Sequence, residues 1–90
     1  MMQNYSEMLD FEINFWVSEV TGKTADYCNS WADAGPVIQQ ASIAVCCFKD
    51  SLADAFPTAE GLMSNKFVSH LNPLRAAMIV FLMMEEKGIG

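Results

Sequence analysis

One histidine, His70, and three cysteines, Cys28, Cys46 and Cys47, are the side chains in this chain best suited to nucleophilic or metal chemistry. A catalytic histidine needs a nucleophile or a carboxylate held beside it, and the sequence alone places none there, so His70 is expected to be structural or solvent-facing. Cys46 and Cys47 are adjacent and lack the gap of roughly two to four residues that lets two thiolates share one zinc ion. On a strand they would face opposite ways, one into the core and the other merely near it. The chain has no glycine-rich phosphate loop, strand-turn-serine elbow or paired-histidine metal motif. The expectation is therefore a protein that is not an enzyme, with no catalytic residue, no metal and no cofactor.

Charged side chains offer two further candidates. Asp10, Glu12 and Asp33 could be grouped as an acid cluster, but Asp10 and Asp33 fall where helices should begin, and a carboxylate there is favoured by the helix dipole. Arg75 is the only arginine and sits in the first turn of the last helix, where a cation opposes the dipole unless something negative meets it. One reading is a salt bridge to Asp10, Glu12 or Asp33 that ties the helix to the rest of the fold. The other is a contact with an anion or a partner at the helix N-terminus.

The elements that must position these residues follow from composition and periodicity. Ninety residues make one domain, 1–90, with room for a single core. Apolar residues are 52% of the chain, with seven methionines and six phenylalanines, so it should fold despite its acidity. Eleven acids against five bases give a net charge of -6, which disfavours nucleic-acid backbones and anionic membranes. No basic segment followed by an apolar run opens the sequence, so no secretory signal is expected. The longest apolar run, Ala76 to Met84, is about half of the roughly twenty residues a spanning helix needs. An odd, partly adjacent cysteine set fits free thiols in a reducing cytoplasm.

Leu9, Ile13, Trp16, Val17 and Val20 recur at helical spacing and predict a first helix from about Glu7 to Thr21, capped by Ser6 or Asp10 and stopped by Gly22. Ser30 should cap a second helix by accepting from the amide of Asp33. The buried stripe of that helix would be Ala34, Val37, Ile38 and Ala41, with a kink or displaced start at Pro36. Ile43 to Phe48 reads as a buried strand that ends in a turn at Lys49 to Ser51. Leu52 to Pro57 and Lys66 to Leu71 are its weaker candidate partners, and Thr58 to Asn65 a loop or short helical turn. Asn72 caps the last helix, Pro73 suits its first position, and Gly88 is a plausible stop with Lys87 beside it. That helix is apolar on more than one face, so it either lies centrally or touches another chain.

Three blocks, Leu9 to Asn14, Cys28 to Pro36 (through Asn29, Ala32, Asp33 and Ala34), and Asn72 to Met84, resemble the NinX family of lambdoid phages and prophages. The resemblance implies a small phage accessory protein with no established molecular activity. It also implies an α+β fold: a small sandwich of two or three helices flanking a short antiparallel sheet, with the C-terminal helix central. The candidate binding or family-motif positions are Asp10, Glu12, Asn14, Trp31, Asp33, Asn72 and Arg75. Two departures stand out: Gly35 takes the place of a usual tryptophan, with Trp31 nearby, and the segment after Phe48 lacks the usual aromatic second strand.

The leading expectation is a cytoplasmic protein that binds a host or phage protein, with Trp31, Phe15 and Met84 as candidate anchors and self-association open. The alternative is a small-ligand or nucleotide binder, with Arg75 and helix N-termini as anion contacts and Trp31 or Tyr27 for stacking. Binding to nucleic acid or membrane is disfavoured by charge.

Overall fold

The computed structural model describes residues 7–48 and 51–89. Ser6, Lys49, Asp50 and the side chain of Lys87, all given roles by the sequence, lie outside that description.

Helix α1 spans Asp10–Thr21, later than the start near Glu7 that its apolar spacing suggested. The reason is local. Leu9 is extended, and its backbone N–H donates to Glu12 Oε1 at 2.9 Å, so Leu9 is the cap and Asp10 the first helical residue. Gly22 ends the helix in the left-handed region, φ 80°, and its N–H closes on the Ser18 carbonyl. Helix α2 (Trp31–Ala41) begins directly after Ser30, whose hydroxyl accepts from the Asp33 amide at 3.3 Å. Pro36 does not displace that start. Both it and Ala32, whose carbonyl would have met the missing N–H, are exposed, so solvent can satisfy that carbonyl.

Strand β1 (Ile43–Cys46) pairs antiparallel with β2 (Ala53–Pro57), and β2 with β3 (Val68–His70), in the order β1-β2-β3. Both weaker strand candidates are therefore real partners, and the segment between them holds a single 3-10 turn, Gly61–Met63. Along β2, Ala53, Ala55 and Pro57 face inward. On the other face Phe56 stacks on Phe67 at 6.0 Å, so the second strand does carry an aromatic. Neither Cys46 nor Cys47 enters the core: the strand stops at Cys46, which is half-buried, and Cys47 is exposed.

Helix α3 (Pro73–Ile89) runs through Gly88 without stopping there. It lies centrally, packed on all three strands and on both other helices, with β2 its principal neighbour in the sheet. Positions 74–82 are buried without a break. A helix that is apolar all round has to be covered all round. The alanines at 53, 55, 76 and 77 bring the sheet and helix backbones close, while Met78, Ile79, Val80, Phe81 and Leu82 fill the remaining space. Each of those larger side chains contributes roughly 1.5–3 kcal/mol by burial.

Candidate functional site

Helix α1 has an inward and an outward face with different work to do. Inward, Ile13 and Val17 are fully buried against α3. The rest of its apolar stripe is not core: Leu9, Trp16 and Val20 are exposed, and so are Phe11 and Phe15. Phe11 is 67%, Phe15 54% and Trp16 42% accessible. Phe11 and Phe15 are one turn apart, as are Trp16 and Val20, so the two rows form a continuous apolar strip. The Phe15 and Trp16 rings meet edge to face at 5.3 Å. Glu12 and Glu19, both exposed, stand one turn before and one turn after that pair.

The orientation of this strip is fixed by a polar network on the inner side of α1. Arg75, whose side chain is 8% accessible, donates from Nη1 to Asp10 Oδ1 at 2.6 Å and from Nη2 to the Met8 carbonyl. The acid that answers the lone arginine is thus Asp10, across 65 positions of sequence. Two asparagines hold the intervening loop. Asn14 Oδ1 accepts from the Cys28 amide at 3.0 Å while its Nδ2 donates to Asp26 at 2.7 Å. Asn72 Nδ2 donates to the Cys28 carbonyl at 2.6 Å, and its Oδ1 accepts from the Leu74 and Arg75 amides as the cap of α3. Both backbone groups of a buried residue are therefore satisfied by side chains of two different helical segments.

Between α1 and this loop lies a shallow open depression lined by Met8, Leu9, Asp10, Phe11, Asn14, Asp26, Asn29 and Arg75. Of the candidate positions, Asp10, Asn14 and Arg75 meet here and Asn72 joins them through Cys28. The others go elsewhere: Glu12 caps α1, Asp33 pairs with Lys23 at 3.3 Å, and Trp31, 55% accessible, opens α2 outside the depression. Asp26, not singled out in the sequence, and Asn29, named there only within a block of resemblance, line the depression as well; acidic and amide side chains around a turn are the usual signal of local backbone and side-chain bonding. The ion pair of Lys66 with Glu60 at 3.1 Å, in which the lysine is buried, had no signal in the spacing.

Chemically the depression is quiet. Burial, with a smaller contribution from the Asp10 charge, pushes the Cys28 thiol up to about 12 against the lowering influence of Arg75, so it stays protonated and unreactive. His70 accepts from the Asn72 amide through Nδ1 at 3.0 Å, a local contact before the helix cap. Tyr27 is buried, its hydroxyl bonded to the Lys23 carbonyl and to Thr21, and offers no ring for stacking. No three His, Cys, Asp or Glu side chains converge to hold a metal ion among the described residues. No described helix is long and apolar enough to cross a membrane.

These features define a small α+β domain built around one central helix, with an aromatic strip on its first helix. The chain belongs to the phage family described as Bacteriophage P22, NinX, whose family model matches residues 24–85, and is accordingly a phage accessory protein. The matched stretch takes in the two later blocks of resemblance, while Leu9 to Asn14 and the rest of α1 precede it. Comparison with curated proteins finds no match, and comparison with solved structures finds none either.

Proposed function

We propose that this chain is a non-enzymatic accessory protein that acts in the host cytoplasm by binding a host or phage protein through the outer face of α1. The observation that carries the reading is the exposed strip of Phe11, Phe15, Trp16 and Val20 on a helix tied to α3 by its buried face and by the Arg75–Asp10 pair. Aromatics left in water gain from being covered, and they are enriched at the centres of protein interfaces. Trp31 is exposed too and remains a second candidate anchor, whereas Met84 is partly buried against the core and is better assigned to packing. A nucleotide-binding role has less support, because Arg75 is committed to Asp10 and Met8 and the Tyr27 ring is covered.

The test is photo-crosslinking in infected cells from a benzophenone amino acid placed at position 15, with the same probe at Met63 as the control. Met63 is 94% accessible and lies on the 3-10 turn. A discrete cross-linked protein from position 15 and not from position 63 is the expected result. Absence of any discrete product from position 15 would remove α1 as the contact surface.

A further inference from the structure

The strip on α1 has a charge pattern that selects among partners. Residues 1–22 contain four carboxylates, Glu7, Asp10, Glu12 and Glu19, and no Lys, Arg or His. Asp10 is met by Arg75 from behind, which leaves the exposed Glu12 and Glu19 bracketing Phe15 and Trp16 on the outward side. Among the described residues, Lys23 pairs with Asp33, Lys66 with Glu60, and Arg75 with Asp10. These cations are three of the five in the chain. An apolar pair flanked by two exposed carboxylates is complementary to the opposite arrangement.

We propose that the segment received by α1 is basic and amphipathic, its aliphatic side chains covering Phe15 and Trp16 while flanking Lys or Arg pair with Glu12 and Glu19. This rests on the reading of α1 as the contact surface and adds the chemistry of the partner. The aromatic pair supplies most of the affinity, and the rim sets orientation, rate of encounter and choice of partner. A second copy of this chain is a poor occupant, because α1 against α1 brings like charges together. An anionic lipid surface is repelled for the same reason.

Two synthetic peptides of about 18 residues, long enough to form a helix when bound, test the inference. They share one leucine face and differ only in polar residues, all Lys or all Glu. Binding is read by fluorescence anisotropy of a terminal label. The Lys peptide is expected to bind at least about tenfold more tightly than the Glu peptide, with the difference shrinking as salt is raised. Glu12→Gln with Glu19→Lys, in which the glutamine keeps the acceptor that caps α1, should abolish the preference. Asp54→Asn with Glu85→Lys, the same change in net charge on other elements, should leave it intact. Phe15→Ser should weaken the Lys peptide by about tenfold, as expected for loss of a central anchor. Equal binding of the two peptides, equal effects of both charge changes, or full binding by Phe15→Ser would each overturn the proposal. An acidic or neutral segment cross-linked to position 15 would also overturn it while leaving α1 as a docking surface; no cross-link at that position would remove the surface itself.

Discussion

Arg75 and Asp10 lock the start of α3 to the start of α1, and the two partners are unequal. The guanidinium is buried while the carboxylate is 42% accessible, so removing the arginine leaves a cavity and strands its acceptors, whereas neutralising the acid leaves a partly solvated oxygen in place. Arg75→Ala should lower the free energy of unfolding in urea by about 3 kcal/mol, and Asp10→Asn by about 1 kcal/mol. Equal losses would show that charge alone holds the contact. At Asn72 the two roles separate cleanly. Asn72→Asp keeps the oxygen that caps α3 but loses the donor to the Cys28 carbonyl, so it should destabilise by about 1 kcal/mol and Asn72→Ala by about twice that. Cys28 adds a dependence on pH. Its folded thiol is raised from 9.0 to about 12, so below pH 9 it is protonated whether the chain is folded or not. Between about pH 9 and 12 the unfolded chain ionises first, and the stability from the buried thiol is progressively lost. Urea melts across that window should show a steeper decline for the wild-type chain than for Cys28→Ala. The need of Arg75 for an acid was legible in the sequence because a cation at the positive end of a helix dipole is costly. Which acid met it was not, since a pairing across 65 positions depends on how the helices pack.

At the scale of elements, α2 and α1 carry glycines with opposite value. Gly35 lies inside α2 with ordinary helical backbone, and a Cβ there would meet nothing within 4 Å, so Gly35→Ala should raise stability by about 0.5–1 kcal/mol. Gly22 has equal space around it but sits at φ +80°, so Gly22→Ala should cost about 1 kcal/mol through the backbone alone. Thermal melts of the two variants should therefore move in opposite directions. Gly22, Ser30 and Asn72 were all read correctly as helix ends, because capping is decided by one or two local bonds. The apolar spacing of Leu9, Ile13, Trp16, Val17 and Val20 marks the helix but does not divide it into inner and outer positions, although Phe15 stands out as a candidate anchor. Phe11, Ile13, Phe15, Trp16, Val17 and Val20 surround the helix, so spacing alone cannot say which pair faces inward; packing against α3 selects Ile13 and Val17. The strand partners 53–57 and 68–70 were weak in the sequence because β2 reads Ala-Asp-Ala-Phe-Pro and β3 has only three residues. Both pack against α3, with the alanines of β2 facing inward.

For the molecule as a whole, one helix supplies the core and a second presents a surface. α3 is covered by sheet and helices, so its long apolar run was a signal about fold and not about partners. The exposed strip lies on α1 instead, and of its aromatics Phe15 is already a candidate anchor in the sequence. Since Phe15 and Trp16 contribute little to the core, Phe15→Ser with Trp16→Ser should change the unfolding free energy by less than about 1 kcal/mol. The same double variant should lose the partner. Native mass spectrometry of untagged protein purified gently from the infected host tests this most directly, since one spectrum reports subunit number, retained ligand and retained protein. A complex with one other protein is expected for the wild-type chain, and its absence for the folded double variant. A complex that survives both substitutions, a retained small ligand in place of a protein, or a bare monomer from the wild-type chain would contradict this reading.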